Sequence, residues 1–127
     1  MDYWGRHDTL SVVEALDALP QSTSAADKLW ELMCTVYEMR FGRYDLLIRS
    51  LTLEFPDLQQ SVASVDQKRY DTVRQLFADM GFKGDALDMR TLTFVTTASM
   101  DQLLSLDIKD EAYERQLKLR HEFFVRP

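Results

Sequence analysis

The chain has 127 residues, 46% of them hydrophobic and 28% charged, which is the size and composition of one soluble domain covering residues 1–127. Its 21 acidic against 15 basic residues give a formal charge of −6, the wrong sign for holding nucleic acid through phosphate contacts, so no nucleic acid is expected to bind this chain alone. The single cysteine, Cys34, excludes an intramolecular disulfide and a multi-cysteine zinc site. No run approaches the ~18 consecutive apolar residues of a membrane span, and the first residues lack the charged and apolar regions of a signal peptide. A soluble, cytoplasmic protein with no membrane partner is predicted.

In chain order, residues 1–19 place Val12, Val13, Leu16 and Leu19 at helical spacing and stop at Pro20. Tyr3 and Trp4 stand at the start with no cap ahead of them, which points to a helix continued from a preceding segment. Ser24 with Asp27 three residues on forms a capping pattern for the second helix. Its main stretch is residues 29–41, LWELMCTVYEMRF, where Glu31, Thr35, Glu38 and Arg40 are the only polar residues. Glu31, Thr35 and Glu38 fall at i, i+4 and i+7, one narrow polar stripe on an otherwise apolar helix. Such a helix has to be covered on several sides, so the other elements are expected to wrap it, and it should end near Gly42.

Next, Tyr44, Leu47, Ile48, Leu51 and Phe55 repeat at helical spacing, with Asp45, Arg49, Thr52 and Glu54 facing away and Pro56 closing the pattern. From Pro56 the positions Leu58, Val62, Val65, Tyr70, Val73, Leu76, Phe77 and Met80 make the longest apolar stripe, a helix roughly 35 Å long. It stops at Gly81, with Phe82 placed for the hydrophobic contact that accompanies a glycine C-cap. Lys68, Arg69 and Arg74 on that helix read as solvated charges.

A fifth helix is predicted from Gly84-Asp85 to about Leu106, and a last one, capped by Asp107, over residues 108–125. The last carries Ala112, Leu119 and Phe123 on one seam and Tyr113, Leu117 and Phe124 on another. No stretch alternates with period two, so the fold is predicted to be all-α with about six helices. The final two helices are apolar over a wider arc than one neighbour covers, which predicts a partner chain there. The interface is expected to use Leu87, Val95, Ala98, Leu103, Leu106, Ala112, Leu119 and Phe123.

For catalysis the sequence offers little. His7 and His121 are isolated, with no pairing at helical spacing to hold a metal, and neither a phosphate loop nor a nucleophile elbow is present. His7 reads as a surface residue and His121 as a cation near a helix C-terminus. No enzyme, metal or cofactor is expected. Apolar side chains with a few polar anchors suit a small-molecule cavity, and Trp30, Met33, Cys34, Tyr37, Tyr44, Leu47, Leu51, Tyr70, Val73, Phe77, Phe94 and Thr97 are the candidates, with Trp4 beside them. Tyr37, Tyr70 and Thr97 would supply hydroxyls. Aromatic and methionine stripes at helical spacing are more often plain core.

Residues 51–94, LTLEFPDLQQSVASVDQKRYDTVRQLFADMGFKGDALDMRTLTF, combine a helix end, a proline turn, a long helix and a glycine-marked stop. In Pro56, Val62, Val65, Asp66, Arg69, Gly81, Gly84 and Asp85 this run resembles the C-terminal ligand-binding and dimerisation domain of TetR-family transcriptional regulators, and the likeness extends more loosely over the whole chain. Where family members often have Asp before the proline, this chain has Phe55. The resemblance implies a bundle that takes up a small apolar or amphipathic effector and pairs its last two helices with those of a second copy in a four-helix bundle. It also implies that the helix-turn-helix of such regulators would precede Tyr3. The alternative expectation is a stand-alone helical interaction module that dimerises or pairs with a full-length regulator.

Overall fold

The computed structural model of the chain describes residues 12–39, 47–100 and 110–127, with side chains at all of these except 37–39, 99–100 and 110–111. The fold is all-α: the described residues form six helical stretches and no strand. They are α1 (12–17), α2 (Ala25–Met39), α3 (47–51), α4 (Leu58–Asp79), α5 (Gly84–Met100) and α6 (Asp110–Val125). Gly42, Leu103, Leu106 and Asp107, on which expected helix ends and interface positions fall, lie outside the described residues, as do Tyr3, Trp4 and His7.

Local chemistry sets the helix ends. The Ser24 Oγ accepts the Asp27 backbone N–H at 3.1 Å, the N-cap that the Ser-x-x-Asp spacing predicted for α2. At the start of α4, Asp57 makes no side-chain cap. There the N–H groups of Leu58 and Gln59 are taken instead by the Phe55 and Pro56 carbonyls, so a backbone turn does what a capping side chain does elsewhere. The end of α4 is a Schellman motif. The Phe82 N–H reaches back to the Phe77 carbonyl and the Gly81 N–H to the Ala78 carbonyl, with Gly81 at φ +104 and the Phe82 ring edge-on to Phe77 at 6.0 Å.

The long α4 is the spine. It packs against α5 on one side and α2 on another, and α2 in turn carries α6. The core runs through all four, with Leu29, Leu32 and Met33 of α2, Val73, Leu76 and Phe77 of α4, Leu87 and Phe94 of α5, and Leu117 and Phe124 of α6, closed at one side by Val12 and Leu16. The greasy α2 is thus covered by two long helices, as its single polar stripe requires. Glu31 on that stripe is exposed.

The third helix departs from its periodicity. Of the residues expected inside, Ile48 is buried and Leu51 half-buried, but Leu47 is 60% and Phe55 56% exposed. For Phe55 the reason is that α3 unwinds into turns after Leu51, so a 3.6-residue repeat no longer governs it. Arg49, expected to face away, instead turns onto α4 and grips Asp66 with both Nη atoms, at 2.5 and 2.9 Å.

Candidate functional site

The apolar residues proposed to line a cavity divide into three groups. Met33, Val73, Phe77 and Phe94 are buried within the core. Phe77, fully enclosed, lies within 6.2 Å of the rings of Phe82, Phe94 and Phe124. Trp30, Cys34, Leu51, Tyr70 and Thr97 are half-buried, and the Thr97 hydroxyl donates to the Thr93 carbonyl of its own helix at 2.7 Å. Leu47 faces solvent. Tyr44 and the Tyr37 side chain lie outside the described residues.

Trp30 belongs to a contact that sequence reasoning missed. His121 of α6 donates through Nε2 to the Ala26 carbonyl of α2 at 2.8 Å, and its ring stands edge-on to Trp30 at 5.4 Å. His121 is therefore engaged between two helices rather than standing alone at a helix end. It docks α6 on the first turns of α2, where Ala26 and Trp30, four residues apart, share one face of the helix. Arg74, read as solvated, reaches the Asp88 carboxylate of α5 at 3.2 Å in an exposed ion pair.

The outer faces of α5 and α6 expose large apolar side chains. On α6 the two predicted seams separate cleanly: Leu117 and Phe124 are buried and Tyr113 half-buried, whereas Ala112, Leu119 and Phe123 are exposed, Phe123 to 65%. On α5 the expected interface residues fall on the wrong side for docking. Leu87 is 4% exposed, and Val95 and Ala98 are half-buried against the core. The side that faces solvent bears Met89 and Leu92, with Thr93 and Thr96, and no charged residue is exposed on α5 after Asp88 among the described residues. Depletion of charge in an exposed apolar stripe is the composition of an interface core. The signal was present in the spacing of Met89, Leu92 and Thr96, but α5 is apolar on both sides and periodicity alone does not say which faces inward.

One side chain joins these two helices at their ends. Arg90 of α5 donates through Nη1 to the Phe124 carbonyl at 2.7 Å and to the Phe123 carbonyl at 3.4 Å. Its guanidinium lies 4.0 Å from the centroid of the Phe82 ring. Among the described residues, no group of three or more His, Cys, Asp or Glu side chains is placed to hold a metal, and no helix is long and apolar enough to cross a membrane. No family model, curated protein or solved structure matches the chain.

Proposed function

We propose that this chain is the effector-sensing and homodimerising domain of a TetR-like transcriptional regulator, a helical unit that pairs with a second copy and takes up a small apolar or amphipathic ligand. The observation that carries the pairing is the exposure of Met89, Leu92, Leu119 and Phe123 on the last two helices, on outer faces where α5 bears no exposed charge after Asp88. The sequence likeness over residues 51–94 supports the family, and the half-buried Trp30, Tyr70 and Thr97 are the candidates to meet a ligand. By the logic of such a sensor, a ligand acts by favouring one arrangement of the two subunits over another.

Sedimentation equilibrium tests the pairing. The 14.8 kDa chain is expected to sediment as a dimer, and Leu119→Glu with Phe123→Glu is expected to weaken the dimer at least about 100-fold by placing like charges face to face across a two-fold interface. A wild-type monomer at every concentration would sink the reading. Calorimetric titration with a panel of small apolar amphiphiles tests the sensing half, and a dimer that binds none of them would leave the pairing alone standing.

A second reading has its own observation. Met33, Val73, Phe77 and Phe94 serve as packed core, which favours a stand-alone interaction module with no effector, dimerising or pairing with a full-length regulator. Co-expression with such a regulator, read by native mass spectrometry, would then yield mixed dimers.

A further inference from the structure

We propose that Arg90 is the positioning residue of the α5–α6 docking face: by capping the last turn of α6 from α5, it fixes Phe123 relative to Met89 and Leu92 and so sets the affinity of the dimer. The inference rests on the dimerisation reading above and names what controls that face.

The argument begins with an unmet backbone need. The last carbonyls of a helix have no intrahelical donor. Glu122 obtains one from the Arg126 N–H at 3.2 Å, but the next carbonyl, that of Phe123, would need an N–H from residue 127, which is Pro127 and has none. Arg90 meets this need from another helix, donating to the Phe124 carbonyl at 2.7 Å and the Phe123 carbonyl at 3.4 Å. It also sets a positive charge at the negative end of the α6 dipole.

The clasp is anchored at its other side. The guanidinium stacks on Phe82 at 4.0 Å, and Phe82 is itself pinned to the end of α4 by the Schellman hydrogen bond to Phe77. A planar, delocalised cation can bond two carbonyls at its edge while lying on a ring with its face, and a lysine ammonium cannot do both. The consequence for docking follows from chain adjacency. Met89 immediately precedes Arg90 and Leu92 lies two residues on, while the carbonyls that Arg90 bonds are that of the buried Phe124, at 2.7 Å, and, at 3.4 Å, that of the exposed Phe123 beside it. One side chain therefore ties the turn of α5 that bears Met89 and Leu92 to the end of α6 that bears Phe123, and residues held in place before encounter lose less freedom on binding.

The test measures the dimer dissociation constant of the full chain by analytical ultracentrifugation. Arg90→Met keeps an apolar stem over Phe82 but removes every donor and the charge. It is expected to weaken the dimer about ten-fold, the equivalent of one charge-assisted hydrogen bond. Arg90→Lys should recover part of that loss. In a Phe123→Ala background the effect of Arg90→Met should fall below about two-fold, because the residue that Arg90 positions is gone. An unchanged constant for Arg90→Met, or the same ten-fold loss in both backgrounds, would overturn the proposal, the latter by making Arg90 a general stabiliser. If Arg90→Met fails to fold, Arg90→Lys carries the same cycle. A monomeric wild type overturns this inference and the dimer together, whereas a wild-type dimer indifferent to Arg90 overturns this inference alone.

Discussion

The junction where α4, α5 and α6 meet and the turn that follows α3 both carry phenylalanine, and they use it in opposite ways. At the junction Phe77 is fully enclosed, with Phe82, Phe94 and Phe124 arranged edge-on or tilted about it at 5.8 to 6.2 Å. At the turn Phe55 is 56% exposed and Leu53 85%. What orders that segment is polar: a succession of backbone hydrogen bonds from Thr52 to Gln59 and the two-pronged grip of Arg49 on Asp66. Long helices that converge can enclose an aromatic ring on all sides. Past Leu51, where α3 gives way to turns, hydrogen bonding holds the backbone while Leu53 and Phe55 stay outside.

The largest expected effect tests that contrast directly. Phe77→Ala should destabilise the fold by about 3–5 kcal/mol, the range for emptying a large aromatic site in a packed core, read from the midpoint of urea unfolding. Phe55→Ala, the same chemical change at the turn, should stay within about 0.5 kcal/mol. Comparable losses at the two sites would mean that Phe55 is buried in solution, and the distinction between the regions would collapse.

Much of the junction was legible in the sequence because every rule there pointed the same way. The apolar stripe from Val62 to Phe77, the glycine at position 81 and the phenylalanine at 82 agree on where α4 runs, stops and folds back. The two seams of α6 separated for the same reason: Leu117 and Phe124 recur at a spacing that cannot share a face with Leu119 and Phe123. The turn was misread because a helical repeat was extended past the end of its helix, so Phe55 was placed inside. The inward side of α5 was missed because it is apolar on both sides, and only the docking of Phe94 on Phe77 and Phe124 decides between them. Contacts such as His121 with Ala26, 95 residues apart in sequence, leave no local pattern to read.

A smaller effect sharpens the account of the junction by separating backbone from packing. Gly81 has φ +104 and nothing within 4 Å of where a Cβ would stand, so Gly81→Ala meets no steric obstacle and costs only the unfavourable backbone conformation. The expected loss is about 1–2 kcal/mol, again by urea unfolding. A loss approaching that of Phe77→Ala would mean that the Schellman motif, by aiming Phe82 at Phe77 and at Arg90, governs the whole aromatic cluster. A negligible loss would mean that the ring contacts hold the chain reversal without it.

The smallest effect belongs to the turn, and salt is the variable that identifies it. Arg49 and Asp66 are both partly open to solvent, with side chains 24% and 38% exposed, so their attraction is screened and is opposed by the entropy of fixing the arginine. Arg49→Met should therefore cost less than about 1 kcal/mol at low ionic strength. Because the Debye length falls to about 3 Å in 1 M salt, the difference between wild type and variant should shrink there, whereas the cost of Phe77→Ala, which is a matter of lost contacts, should not. A salt-independent loss at Arg49 would show that its stem, packed between α3 and α4, contributes more than its charge. The turn would then be held by the same burial that orders the junction, on a smaller scale.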